Sequence, residues 1–120
     1  MKLPIQYALG YPNRLSSDFP RFNFLDYPSL TFEKADTDTF RNLALAFEAM
    51  EKGGNMPCIL NAANEVAVAA FLKDEIKFLD IQRTIEHAME KATFIAKPSL
   101  EQYFETDNET RVIARELIKQ

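Results

Sequence analysis

One histidine, one cysteine and three glycines are all that 120 residues offer of the types that most often build catalytic centres. The glycines, Gly10, Gly53 and Gly54, are too few and too scattered for a glycine-rich phosphate loop. His87 sits in "EHAMEK" and reads as a surface or rim residue on a helix flank. Cys58 alone excludes an internal disulfide and favours a reducing compartment. It lies near a helix start, where a thiolate could be stabilised, but no partner is evident, so a small buried residue is the stronger reading. The acid pairs Asp36/Asp38 and Asp74/Glu75 lack a histidine or a third close ligand and read as solvated caps and helix ends. No catalytic residue and no metal ligand is therefore assigned. No apolar run approaches the roughly 18–20 residues of a membrane span. The first residues, with one Lys and an early Pro, are not a secretory signal. A net charge of −4 with 14 scattered Lys and Arg argues against non-specific nucleic-acid binding. The expectation is a soluble cytoplasmic protein with no nucleic-acid or membrane partner.

What is present is a change of texture near residue 38. Pro4, Pro12, Pro20 and Pro28 interrupt the first part at eight-residue intervals, although the residues between them do not recur. "PIQYAL" suits one or two helical turns, with Pro4 at the first helical position and Gly10 as terminator. "SLTFEKAD" carries the β-formers Leu30, Thr31 and Phe32 and predicts one short strand, which needs a partner from elsewhere. Residues 1–37 therefore read as an irregular arm.

Residues 38–120 read as helices. Phe40, Leu43, Phe47 and Met50 recur at 3,4,3 spacing and predict a core-facing stripe, with Asp38 as N-cap and Gly53–Gly54 as stop. The segment from Asn55 and Pro57 onward is apolar around most of its circumference, as a central helix would be. A third helix starts at Asp80 and turns Ile81, Ile85, Ala88 and Ala92 inward, flanked by Met89. Ser99 caps a short turn, and Thr106-x-x-Glu109 opens a last helix with Val112, Ile113 and Leu117 inward. The fold class is mainly α: a small four-helix bundle preceded by an irregular arm with one short β-strand.

The central helix carries three polar residues in "LNAANEVAVAAFL": Asn61, Asn64 and Glu65, at i, i+3 and i+4 on one face. They could line a pocket or bond to a neighbouring segment. The absence of other site chemistry favours the second.

Five stretches together carry a resemblance: "MKLPIQYALGYPNR", "LTFEKAD", "LALAFEAMEKGG", "LNAANEVAVAAFL" and "IKFLDI". In this order, over essentially the whole chain, they resemble the C-terminal third of the 1-deoxy-D-xylulose 5-phosphate reductoisomerases. "P-x-x-x-A-L-G-Y-P-x-R" followed by "L-N-A-A-N-E" is the specific part. The resemblance implies a parent enzyme that uses NADPH and a divalent cation, Mg or Mn, to make 2-C-methyl-D-erythritol 4-phosphate in non-mevalonate isoprenoid synthesis. It implies that residues 1–37 are the end of the catalytic domain plus a linker arm, and that 38–120 are the C-terminal helical bundle domain. The Rossmann domain and the catalytic acids lie upstream in the family, so this part alone is expected to be inactive and to hold no cofactor. Met1 matches a methionine in the apolar wall beside the nicotinamide. Asn61, Asn64 and Glu65 match the family's "NAANE" and take a structural role, pinning the central helix against linker and neighbouring domain. The expected partners are the other domains of the enzyme and a second copy, as a homodimer joined through the apolar arm and its strand. The alternative is a free-standing helical protein-interaction module.

Overall fold

Residues 2–119 are described by the computed structural model, and the chain divides into two compact units, Met1–Lys34 and Ala35–Gln120. In the first unit, α1 spans Lys2–Gly10. The helix starts two residues ahead of Pro4 rather than at it. Gly10 closes it, and a Cβ there would meet the Leu15 side chain at 2.9 Å. Tyr11–Pro12 is a cis peptide, and the Asn13 N–H donates to the Gly10 carbonyl at 2.9 Å. The rest of the unit is irregular and held by local contacts. Phe22 stacks on Tyr27 with ring centroids 5.2 Å apart, and Arg14 lies over the Tyr7 ring. No described residue of this unit is buried.

The expected strand does not form. Residues 29–36 have no regular structure, and no strand occurs among the described residues. Leu30, Thr31 and Phe32 bring β-propensity, but a strand is stabilised by its ladder and its cross-strand pairs, and no segment is placed to supply them. Pairing of two arms by strand exchange therefore loses its basis.

The second unit is four helices: α2 (Arg41–Lys52), α3 (Met56–Phe71), α4 (Phe78–Lys91) and α5 (Leu100–Ile118). α3 packs on all three others, and α4 also packs on α2 and α5. The core runs through Leu45, Ala63, Ala67, Ile81, Ile85, Ala88 and Ala114, with Ala49, Met56, Ile59 and Ala92 continuing it. α3 is central because its buried positions are mostly alanine: Ala62, Ala63, Ala67 and Ala70. Short side chains let neighbouring helices come close to its axis. The inward face expected for α4 forms as drawn, with Ile81, Ile85, Ala88 and Ala92 buried and Met89 partly so.

Several expectations about this unit are corrected. The stripe Phe40, Leu43, Phe47 and Met50 faces outward; Leu45 and Ala49 make the buried side of α2. Asp38 does not cap α2. Asp36 accepts from the Asp38 and Thr39 N–H groups at 3.1 and 2.9 Å, and Phe40 occupies the cap position. Residues 100–118 are one helix rather than a turn and a second helix. Ser99 Oγ accepts from the Gln102 N–H while Gln102 Oε1 accepts from the Ser99 N–H, which is the reciprocal box. Thr106 is then a buried mid-helix residue, and Val112 is exposed. α4 likewise begins two residues before Asp80, whose carboxylate accepts from the Lys77 N–H at 2.9 Å. No helix among the described residues is long and apolar enough to cross a membrane.

Candidate functional site

Two polar clusters hold the second unit together, and one of them contains the residues singled out by sequence. Asn61 and Glu65 stand one turn apart on α3, so their side chains meet: Asn61 Nδ2 donates to Glu65 Oε1 at 3.2 Å. The other oxygen of Glu65 accepts from Arg111 Nη2 on α5 at 2.7 Å. Arg111 is itself gripped by Asp107, one turn earlier on α5, through Nε at 2.7 Å and Nη2 at 3.0 Å. The fork of a guanidinium matches the two oxygens of a carboxylate, which fixes the Arg111 plane as well as its charge. Glu65 is held below the usual carboxylate range, first by the Arg111 bond and then by the Asn61 bond. Arg111 is held more strongly protonated than usual by Asp107 and Glu65. Asn64 is half-buried and takes no part in this network.

The second cluster centres on Asn55, at the start of α3 and fully buried. Its amide nitrogen donates to the Thr93 carbonyl at 2.9 Å and to Thr106 Oγ1 at 3.0 Å. Its side-chain oxygen accepts from the Ile95 N–H at 2.9 Å, and its backbone N–H donates to the Ile95 carbonyl at 3.0 Å. One side chain thus ties the α2–α3 turn to the α4–α5 loop and to the middle of α5. The approach requires Gly54. Its φ is +57°, and a Cβ there would collide with the Ile95 carbonyl oxygen and lie 3.0 Å from Ala96 Cα. Tyr103 adds a hydroxyl bond to the Gly54 carbonyl at 3.2 Å.

Neither cluster has the form of a reaction centre. Glu65, Arg111 and Asp107 satisfy one another. Cys58 is half-buried, burial raises its thiol above the usual value, and Sγ points to the Tyr103 carbonyl at 3.6 Å. That environment stabilises a thiol rather than a thiolate. His87 is exposed on α4. Among the described residues no three His, Cys, Asp or Glu side chains converge as a metal site would require. Met1 lies outside the described residues.

Sequence reasoning missed most members of these clusters, Arg111 and the role of Asn55 above all. Arg111 was legible as an i,i+4 partner of Asp107. Asn55 was visible as a helix start, but nothing in the sequence says that residues 93–95 and Thr106 come to meet it.

The sequence matches the family described as "DXP reductoisomerase C-terminal domain" over residues 1–113. It is 58% identical over 118 residues to the 1-deoxy-D-xylulose 5-phosphate reductoisomerase of Bacteroides fragilis, covering 98% of this chain and 30% of that protein. The Bacteroides thetaiotaomicron enzyme of the same name is 59% identical over the same shares of each chain. The chain thus spans about 30% of the length of the curated relatives it matches. Among solved structures it resembles the Zymomonas mobilis reductoisomerase in complex with NADPH, with a TM-score of 0.86 and 39% identity over 99% of this chain and 32% of that one. A DOX-P reductoisomerase in complex with magnesium gives a TM-score of 0.83 at 32% identity over 98% of this chain and 32% of that one.

Proposed function

Because the chain belongs to the DXP reductoisomerase C-terminal domain family, we propose that it serves as the C-terminal part of an NADPH- and divalent-cation-dependent reductoisomerase. The parent enzyme converts 1-deoxy-D-xylulose 5-phosphate to 2-C-methyl-D-erythritol 4-phosphate in isoprenoid synthesis. In this reading residues 1–37 are the end of the catalytic domain with its linker, and residues 38–120 are a structural bundle. The carrying observation is the first unit: it buries none of its described residues, yet presents Leu3, Ile5, Leu9, Phe24, Leu25 and Phe32 to solvent. Such a surface is made to be covered. The partners that cover it are the upstream domains of the same enzyme, and the assembly is a cytoplasmic homodimer. A free-standing interaction module has no use for an arm with no core of its own.

The described residues do not fit a cofactor site of their own. They offer no converging metal ligands and no glycine-rich turn for a pyrophosphate. NADPH and the Mg or Mn ion therefore belong to the upstream domains, with Met1 contributing an apolar contact beside the nicotinamide. No step of the reaction is assigned to this chain. Asn61, Asn64 and Glu65 are given a structural role: Glu65, oriented by Asn61, ties α3 to α5 through Arg111, while Asn64 takes its role from the family motif alone.

The test is a graft. The Bacteroides fragilis enzyme with its last 30% replaced by this chain is expected to oxidise NADPH with 1-deoxy-D-xylulose 5-phosphate and Mg, while the 120-residue chain alone is expected to be inactive. A well-folded but inactive graft, or turnover by the chain alone, overturns the proposal.

A further inference from the structure

We propose that the groove between the last turns of α3 and α5 binds a small amphipathic anion, a soluble phosphate ester with a short apolar body. Such a site goes beyond the proposed role as the C-terminal part of a reductoisomerase and does not depend on it. The two helices run side by side in the same direction. Asn55 at the start of α3 meets Thr106, and Glu65, further along α3, meets Arg111, further along α5. From that ion pair onward lies a cleft of about 570 Å³. Glu65 and Ala69 stand one turn apart on one wall, and Arg111 and Arg115 one turn apart on the other. Lys73 and Lys119 continue the same four-residue steps just past the helix ends. Val66, Ala70 and Ile118, buried or half-buried, give the apolar part of the lining.

The charges of this cleft do not close on themselves. The first step along it is an acid against a base, Glu65 with Arg111. The next sets Ala69 beside Arg115, and the last brings two cations, Lys73 and Lys119. Of the four arginines in the second unit, Arg41, Arg83 and Arg111 each pair with a carboxylate. Arg115, Lys73 and Lys119 form no ion pair among the described residues. Glu75 is the one further acid on the lining. Three cations against one acid make a local positive field in a chain whose net charge is −4. The helix dipoles account for one cation near each helix end. They account neither for a third nor for the concavity between them.

Arg111 supplies a donor that is already oriented. Asp107 and Glu65 use its Nε and Nη2 and fix the guanidinium plane, while Nη1 takes no bond among the described residues. A spare guanidinium edge with three further cations suits a doubly charged oxyanion such as a phosphate monoester. The apolar lining suits an alkyl body attached to it. Inorganic phosphate would leave that lining wet, and an uncharged alkyl compound would leave the cations unmatched. The volume is that of a small-molecule site.

The test titrates the isotope-labelled 120-residue chain with hexyl phosphate, with inorganic phosphate and hexanol as separate probes. Hexyl phosphate should shift the amides of residues 66–73 and 111–119 saturably, and bind at least roughly tenfold more tightly than either probe. Arg115→Gln with Lys119→Gln should weaken it by roughly tenfold or more without lowering the melting temperature, because both side chains are exposed. Ala69→Glu, which sets an acid beside Arg115, should do the same. Lys91→Gln with Lys97→Gln, exposed lysines outside the cleft, should leave binding unchanged. No saturation by about 10 mM, or equal weakening by the two double variants, would overturn the proposal. So would inorganic phosphate binding as tightly as its ester. Co-sedimentation with vesicles of phosphatidylcholine and phosphatidic acid, lost in the Arg115/Lys119 variant, would reassign the head group to a lipid and overturn the soluble ligand. The Bacteroides fragilis graft should bind hexyl phosphate as the chain does; loss of binding there would mean that the upstream domains fill the cleft, and would overturn the site. Binding is read without turnover, so an inactive graft that still binds would count against the proposed function alone.

Discussion

Replacing Asn55 by alanine tests the reasoning about the bundle's polar knot most directly. The side chain is fully buried and makes three hydrogen bonds, two donated and one accepted. Each is worth about 1 kcal/mol net, so their loss alone costs about 3 kcal/mol. The three partners left behind are not equally stranded. Thr93 is an exposed residue, and its bond with Asn55 is only partly buried. Thr106 is 2% exposed, and the Ile95 N–H is directed inward at the missing oxygen. Stranding such groups raises the cost towards about 4 kcal/mol. For a unit of this size each kcal/mol moves the midpoint by about 4–8 °C, so Asn55→Ala should melt at least about 12 °C lower. Asn55→Asp separates the roles. It keeps an acceptor for Ile95 but loses both donors and faces the Thr93 carbonyl with a buried carboxylate, so it should be no better than alanine. Thr106→Val removes only one acceptor and should cost about 1 kcal/mol. Thermal and urea unfolding followed by circular dichroism measure all three. An Asn55→Ala protein that loses less than about 1 kcal/mol would refute the account of this cluster as the tie between the two loops.

Leu45→Ala should cost about 2–5 kcal/mol, whereas Phe47→Ala, on the outer face of the same helix, should stay within about 0.5 kcal/mol; equal losses in urea unfolding would put the core on the wrong side of α2. Gly54→Ala should cost more than about 2 kcal/mol, because it forces a positive φ on a side chain and drives Cβ into the Ile95 carbonyl; a neutral result by calorimetry would contradict the close approach of these loops. Thr110 Oγ1 is buried without a hydrogen-bond partner, so Thr110→Val should be neutral or stabilise by about 1 kcal/mol, and a clear loss of stability would show that the hydroxyl is engaged. The folded-state pKa of Glu65 is depressed by Arg111 and Asn61, so its contribution is present above the ordinary carboxylate pKa and is lost as pH falls through the depressed value. Glu65→Gln should therefore lower stability at neutral pH and leave it unchanged in strong acid; an equal difference at both pH values would exclude the ion pair as the cause.

The helical unit of this protein was written in its periodicity. Ile81, Ile85, Ala88 and Ala92 recur at intervals that only a helix brings to one side, and the alanine-rich stretch after Asn55 had to be central because it has no broad polar face. The ordered motifs from residue 1 to residue 81 pointed to the family, since motif order and spacing survive where individual contacts do not. What periodicity could not decide was which of two apolar faces a helix turns inward. On α2, Phe40, Leu43, Phe47 and Met50 outweigh Leu45 and Ala49 by size, so the sequence pattern favoured the wrong side. The choice belongs to the neighbours: Leu45 is buried in one cluster with Ala63 and Ala67 of α3, while Phe47 stays exposed. The strand at residues 30–32 failed for a related reason: strand propensity is local, but the ladder that makes a strand is not. Two capping patterns competed in residues 99–109, and Ser99 prevailed because Asn55, more than forty residues earlier, reaches Thr106 and makes it a buried partner inside a continuous helix. Local chemistry thus determined where helices could form. Which faces were buried, and which polar residues became ties rather than surface, was decided only when distant segments met.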